Sequence, residues 1–176
     1  MNSTLYMALV AIFTALVMVA TVVVSIPFPT STGYLNFGDT LVMTSGFLLG
    51  PVGGFLAGGI GSAMADVSLG YTHFAPITLL VKGTEGMIVG FFSRRSATAS
   101  RITATDAMGL FLAAVTMLLG YFTYETLLFG YQVALAELLT INILQVSVGA
   151  LVASLIGPTL RTYVRSILIG EMSGEQ

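Results

Sequence analysis

Ionisable and amide side chains are sparse in this sequence, and most lie inside apolar runs or at their ends. Lys82 falls about two turns into a helix expected over 76–92, and Glu85, three residues on, shares its face. An ammonium near the centre of a membrane helix costs about 2.5–3.5 kcal/mol on insertion scales, so such a residue faces a cavity or a partner. Two readings follow. Lys82 pairs with Glu85, or with Asp66 of the neighbouring helix, and holds the structure together. Alternatively it stands at a pocket floor and donates to a ring nitrogen or hydroxyl of a bound molecule. Asn36, Asp39, His73, Glu137, Asn142 and Gln145 would add donors and acceptors around the same half. Tyr34, Tyr71, Phe74, Tyr121 and Tyr124 fall at expected outer ends, where a ring could stack, although tyrosine there is ordinarily a headgroup anchor.

Other chemistries are hard to assemble. Cysteine is absent and His73 is the only histidine, which removes thiolate nucleophiles, disulfides and the usual zinc or di-iron ligand sets. No zincin pattern, serine nucleophile elbow or phosphate loop occurs, so no catalytic residue, metal or cofactor is expected and an intramembrane enzyme is disfavoured. The net charge of -2, with only six basic residues, gives no footprint for nucleic acid.

The elements that must position these groups are helices in lipid. Of 176 residues, 56% are hydrophobic and 8% charged, against roughly 25% charged in soluble domains. So few charges cannot cover a soluble fold of this size, whereas a hydrocarbon solvent removes that need. The expectation is an all-α integral membrane protein, one domain over 1–176, with six transmembrane helices in a compact bundle. The spans read as 5–26, 38–50, 54–69, 76–92, 106–121 and 132–160. Pro27 and Pro29 end the first, Gly50-Pro51 stops the second, and Pro76 opens the fourth. The span 38–50 is short for a crossing and could enter and leave on one side. The first run is too long for a signal peptide and no basic residue precedes it. Arg94, Arg95, Arg101, Arg161 and Arg165 cluster in two places; if the span 38–50 crosses, both clusters share a side with the N-terminus, and the positive-inside rule makes that side cytoplasmic.

Packing signals are plentiful. Gly46 and Gly50, then Gly54, Gly58, Ser62 and Asp66, then Gly86 and Gly90, recur every four residues, which stacks them on helix faces where backbones can approach closely. Ala8, Ala11 and Ala15 form a flat strip on the first helix, suited either to the protein's own helices or to a partner helix.

The segments Gly33-Tyr34-Leu35-Asn36-Phe37-Gly38-Asp39, Leu48-Leu49-Gly50-Pro51-Val52-Gly53-Gly54, Ala57 to Asp66, Ala75-Pro76-Ile77-Thr78-Leu79-Leu80-Val81-Lys82-Gly83 and Asn142-Ile143-Leu144-Gln145 resemble the substrate-binding S components of energy-coupling factor (ECF) vitamin transporters. The similarity spans about 5–160 and looks closest to the riboflavin and hydroxymethylpyrimidine group. It implies a plasma-membrane six-helix bundle with cytoplasmic termini and an outward-facing vitamin pocket roofed by the first loop. It also implies partners: a membrane T component carrying two ATPase subunits, which supply the energy. Ala11 and Ala15 match the family's AxxxA docking motif, which moves the alanine strip to the partner interface. The expected site is Asn36, Asp39, His73, Lys82, Glu85, Tyr121, Glu137, Asn142 and Gln145. The expected ligand is a small aromatic vitamin or precursor, hydroxymethylpyrimidine- or pyridoxine-like, or riboflavin. With no tryptophan in the chain, stacking would fall to Tyr or Phe. The competing function, a self-sufficient transporter or channel, would need an internal repeat or a lined polar path, and no repeat is visible.

Overall fold

The computed structural model describes residues 3–27, 33–96 and 98–173, with side chains through 164; Pro29 lies outside them. The chain is helical apart from one short ladder. Helix α1 (Ser3–Val23) leads to strand β1 (Ile26–Pro27), which pairs antiparallel with β2 (Tyr34–Leu35), Ile26 opposite Leu35 and Pro27 opposite Tyr34. Then follow α2 (Gly38–Leu69), α3 (Ala75–Ser93), a 3-10 turn (Arg94–Ser96), α4 (Ala104–Phe129), α5 (Tyr131–Glu137), a π-helical turn (Leu138–Asn142) and α6 (Ile143–Ser173). The last three run on as one long element. Among the described residues, five helices are long and apolar enough to cross a membrane.

That count is one short of the six spans expected from sequence, because Gly38–Leu69 enters it once. Residues 38–50 and 54–69 are two helical arms of the stretch α2, which meet at Gly50, whose φ of 73° and ψ of -169° leave the helical region while Pro51 opens the second arm. The arms fold back on each other. A β-carbon placed on Gly54 would lie 2.9 Å from the Cα of Gly46, and one on Gly58 would lie 2.8 Å from Val42 Cγ1. Along a straight helix those pairs would be roughly 12 and 24 Å apart at 1.5 Å per residue. The first arm, over 38–49, is about 18 Å long at that rise, short of the ~30 Å hydrocarbon thickness. Tyr6 donates its hydroxyl to Leu49 O (3.2 Å), serving a carbonyl next to the break.

Two other boundaries move. Helix α4 runs to Phe129 rather than ending at 121, because 122–129 contains no proline or glycine and the helix has no reason to stop before Gly130, at φ 90°. The last span begins at Tyr131 and passes Pro158 to Ser173 instead of closing at 160. Helix α4 starts on a capping box: Thr103 accepts from the Asp106 N–H, and the Asp106 carboxylate accepts from the Thr103 N–H (3.1 Å).

Helix α3 lies against α2 along most of its length, with α1 on α2 and α4 on α3, while α6 packs on both α2 and α4. Gly46 and Gly54 come from the two arms and Gly86 from α3. The three pack so tightly that a β-carbon on either arm glycine would sit 2.5 Å from Gly86 O. The apolar core lies where α2, α3, α4 and α6 meet, around Met43, Phe47, Val89, Met117 and Val146.

The two ends of the bundle differ in character. Both ends of α2 lie at one end, since Tyr34 just before it bonds Asp66 near its close. Gly50 lies at the other, beside the Arg94 guanidinium. There Arg161 of α6 donates to the Asp106 carboxylate (2.8 Å), Ser93 Oγ (2.9 Å), Ser96 Oγ (3.1 Å) and Ala99 O (2.8 Å). One buried guanidinium thereby ties α6 to the α3–α4 connection.

Candidate ligand-binding site

At the end opposite Gly50, a cavity of about 50 Å³ opens between α2, α3, α4 and the α5–α6 element. Each wall follows from local sequence. The stripe with a period of four on α2 ends in Ser62 and Asp66, one turn apart and both facing in. Pro76 starts α3, and two turns of that helix carry Thr78 and Lys82 to the same side. Tyr121 and Glu125 are one turn apart on α4. The π turn adds a residue to the helical repeat, so Glu137, Ile141, Asn142 and Gln145 all reach the cavity wall; such turns recur at functional sites.

Six of the nine expected site residues line this cavity: Asn36, Lys82, Tyr121, Glu137, Asn142 and Gln145. Asp39 and Glu85 are one layer back. Lys82 Nζ donates to Asp39 Oδ1 and to Glu85 Oε2 (3.1 Å), and all three side chains are buried. Its carboxylate partner from α2 is therefore Asp39, whereas Asp66, the alternative weighed from sequence, accepts from the Tyr34 hydroxyl at 2.6 Å. Gln145 donates to Asp39 Oδ1 (3.3 Å) and accepts from the Asn36 N–H (2.9 Å), which joins α6 to the chain just ahead of α2. Lys82 Nζ also lies 5.6 Å from the centroid of the Tyr121 ring, and Tyr121 donates to Thr78 Oγ1 (3.0 Å).

His73 is not brought to the cavity. Its exposed ring packs on Phe74 and Phe129, with centroids 4.7 and 5.9 Å away, and its carbonyl accepts from the Tyr124 hydroxyl. It belongs to an aromatic cluster in which Phe74 and Tyr121 line the cavity, because the turn after Gly70 points residue 73 outward and residue 74 inward. Tyr34 lines the mouth and stacks on Tyr71 at 4.8 Å. Burial and the adjoining Asp66 carboxylate push the Tyr34 phenol far above its ordinary range, so it remains a donor.

Sequence reasoning missed Glu125 and left Asp66 among the packing residues. Glu125 was hidden by ending the helix at 121; four residues after Tyr121, it shares that residue's face once α4 continues. Asp66 closed a stripe of small residues, and an acid in such a stripe was itself the signal.

On the first helix, Ala8, Ala11 and Ala15 are exposed together with Met7, Ile12, Leu16 and Val19, while Val17 and Thr21 face α2 and are buried. The alanine strip is thus on the outer face of the bundle.

Comparison with known proteins gives a consistent result. The family model for the "ECF-type riboflavin transporter, S component" matches residues 1–162. A Pyrococcus woesei protein, described only as an uncharacterized protein in a gap 3' region, is 42% identical over 152 residues, covering 86% of this chain and 99% of that one. The thiamine precursor transporter HmpT of Lactococcus lactis subsp. cremoris is 28% identical over 155 residues, covering 88% of this chain and 86% of its own. The 2.1 Å crystal structure of an S component for biotin from an ECF-type ABC transporter superposes with a TM-score of 0.65 over 94% of this chain and 95% of that one. At 14% identity it shares the fold.

Proposed function

Because this chain belongs to the family of ECF-type riboflavin transporter S components, we propose that it captures a small aromatic vitamin or vitamin precursor outside the cell and delivers it to an ATP-driven importer. The family is one of substrate-binding transporter subunits, not of enzymes, and the chain is a multi-pass membrane protein. The observation that carries the reading is the cavity. It is walled by four helical elements and roofed at its mouth by Tyr34, and it combines ring faces with buried polar groups as ligand sites do. Candidate ligands are a hydroxymethylpyrimidine- or pyridoxine-like ring, or riboflavin. The thiamine precursor named for the Lactococcus relative supports the first, and the family description supports the last.

The orientation and the partners belong to the same proposal. Arg94, Arg95, Arg101 and Arg161 all lie at the Gly50 end, with Tyr6 of the N-terminal helix and the later part of α6, so that end faces the cytoplasm and the cavity faces outward. The exposed Ala11–Ala15 strip lets a helix of the T component, which carries two ATPase subunits, approach the α1 backbone closely. Ala11→Trp and Ala15→Trp place bulk on that strip without touching the cavity. Each is expected to abolish vitamin uptake and co-purification with the T component while the solitary subunit keeps its ligand affinity. Unchanged uptake in both variants would remove the docking assignment, and loss of ligand binding would place the strip in the internal packing instead.

A further inference from the structure

The cavity measures about 50 Å³, whereas pockets that hold small molecules run to roughly 300–1,000 Å³. A ring can enter only if a wall gives way. One wall is jointed. Helices α4 and α5 meet at Gly130 alone, where φ of 90° and ψ of 159° break the helix, and a β-carbon placed on this glycine would stand in open space. Beyond the joint, α5 and the π turn supply Glu137, Ile141 and Asn142 to the cavity lining.

Two acids fasten that wall to α4. Glu125 precedes Gly130 and Glu137 follows it, and their side chains hydrogen-bond to each other across the joint. Both are exposed by only 2%. An ionised carboxylate accepts and cannot donate, so this bond needs a proton on one of the two acids. Without it, two negative charges would face each other away from water. Glu137 also reaches the roof of the cavity, since a β-carbon on Gly33 would lie 2.9 Å from its Oε2. The surrounding ionisable groups are engaged elsewhere. Lys82 of α3 is held by Asp39 and Glu85, Asp66 of α2 accepts from Tyr34, and Tyr121 of α4 donates to Thr78. Tyr124 donates to His73 O outside the cavity, and Tyr131 at the start of α5 packs on Phe122. Helix α1 carries no ionisable group but Tyr6, at the other end, where Arg161 of α6 is bound to Asp106.

We propose that the proton shared by Glu125 and Glu137 is a latch on the cavity. While it is held, α5 and the π turn stay closed on α4 and under the roof at Gly33. When it passes to bulk water, the two carboxylates repel, the wall turns about Gly130 and the cavity opens. The sign follows from the chemistry: the latch is closed at low pH and released as pH rises. The vitamin-capture reading enters only in what the opened cavity admits, and the latch itself can be read without any ligand.

The test is thiol accessibility in the full chain in lipid nanodiscs. The chain has no cysteine, so Ile141→Cys puts a single thiol on the cavity wall, at a side chain exposed by only 2%. A methanethiosulfonate reagent reads its rate of modification as the pH is raised, with and without Glu137→Gln. The Gln amide donates to Glu125 and has no proton to lose, and the thiol's own ionisation cancels between the two chains. At alkaline pH the cysteine is expected to react at least about tenfold faster in the chain that keeps Glu137, the change one pH unit brings to a population set by one proton. At acid pH the two rates should agree. Equal rates at every pH overturn the proposal, as does a faster rate in the Glu137→Gln chain. Glu125→Gln serves if Glu137→Gln fails to fold, as judged by thermal melting. If both fail, infrared spectroscopy of the wild-type chain decides. The carbonyl band of a protonated carboxyl must then fade over the pH interval in which Ile141→Cys outpaces a cysteine at the exposed Thr140. A band that stays constant overturns the latch. Its failure leaves the vitamin-capture reading to the uptake and docking measurements, which do not depend on it.

Discussion

Lys82 sits between two carboxylates, Asp39 from α2 and Glu85 from its own helix, with no water-exposed face on any of the three. In such a triad the ammonium offsets like-charge repulsion between acids that cannot easily be solvated, and removing one partner of a buried pair typically costs about 3–5 kcal/mol. Lys82→Met is therefore expected to lower stability by about that amount. The double variant with Glu85→Gln should recover more than half of the loss. Thermal unfolding in detergent measures both, and wild-type stability in Lys82→Met together with lost ligand binding would make the lysine a ligand group alone. Sequence spacing made the Glu85 contact legible, since residues three apart share a helical face. The Asp39 contact was not legible, because it joins residues on different helices and depends on how the first arm of α2 lies against α3. Asp66 was weighed as that partner from the same helix pair, and only the course of Tyr34 over the cavity mouth explains why Asp66 turns elsewhere.

Among the elements, α2 decides the architecture. Gly50-Pro51 was readable as a stop, and the glycines around it as close-packing positions, but which backbones they meet is a tertiary matter. Gly46 and Gly54 bring the two arms together, and Gly86 of α3 closes on both. A β-carbon at Gly86 would collide with the carbonyl of Gly54, a backbone atom that cannot swing aside as a side-chain tip could. Gly86→Ala is thus expected to destabilise by about 1–3 kcal/mol through overpacking, read as a lowered melting temperature. An unchanged melting temperature would show that the arms and α3 separate easily at that point. Helix ends on Gly70 and Gly130 are both at positive φ; the first was anticipated and the second supplied the true end of α4. The π turn at Leu138–Asn142 left no mark in the apolar pattern, because its consequence is register, and the polar residues it turns inward are scattered in sequence.

The whole molecule has a basic end and a cavity end, and the account requires them to lie on opposite sides of one membrane. Thr98 and Thr72 are exposed at the two ends. Cysteine at Thr98 is expected to be labelled by an impermeant thiol reagent only from the cytoplasm, and cysteine at Thr72 only from outside. Labelling of both from one side would contradict the bundle described. The division itself was foreseeable from five clustered arginines, and six of the cavity's polar residues were foreseeable too, whereas Ser62, Asp66, Thr78 and Glu125 were not, since the lining is drawn from nearly every element of the bundle. The central claim, that this subunit holds a vitamin by itself, is tested most directly by native mass spectrometry of the full chain, gently purified without its partners and then incubated with hydroxymethyl aminopyrimidine, pyridoxine or riboflavin. The account predicts one small aromatic molecule retained per chain, carried from the cells or taken up on incubation; a chain that carries nothing and takes up none of the three would contradict it.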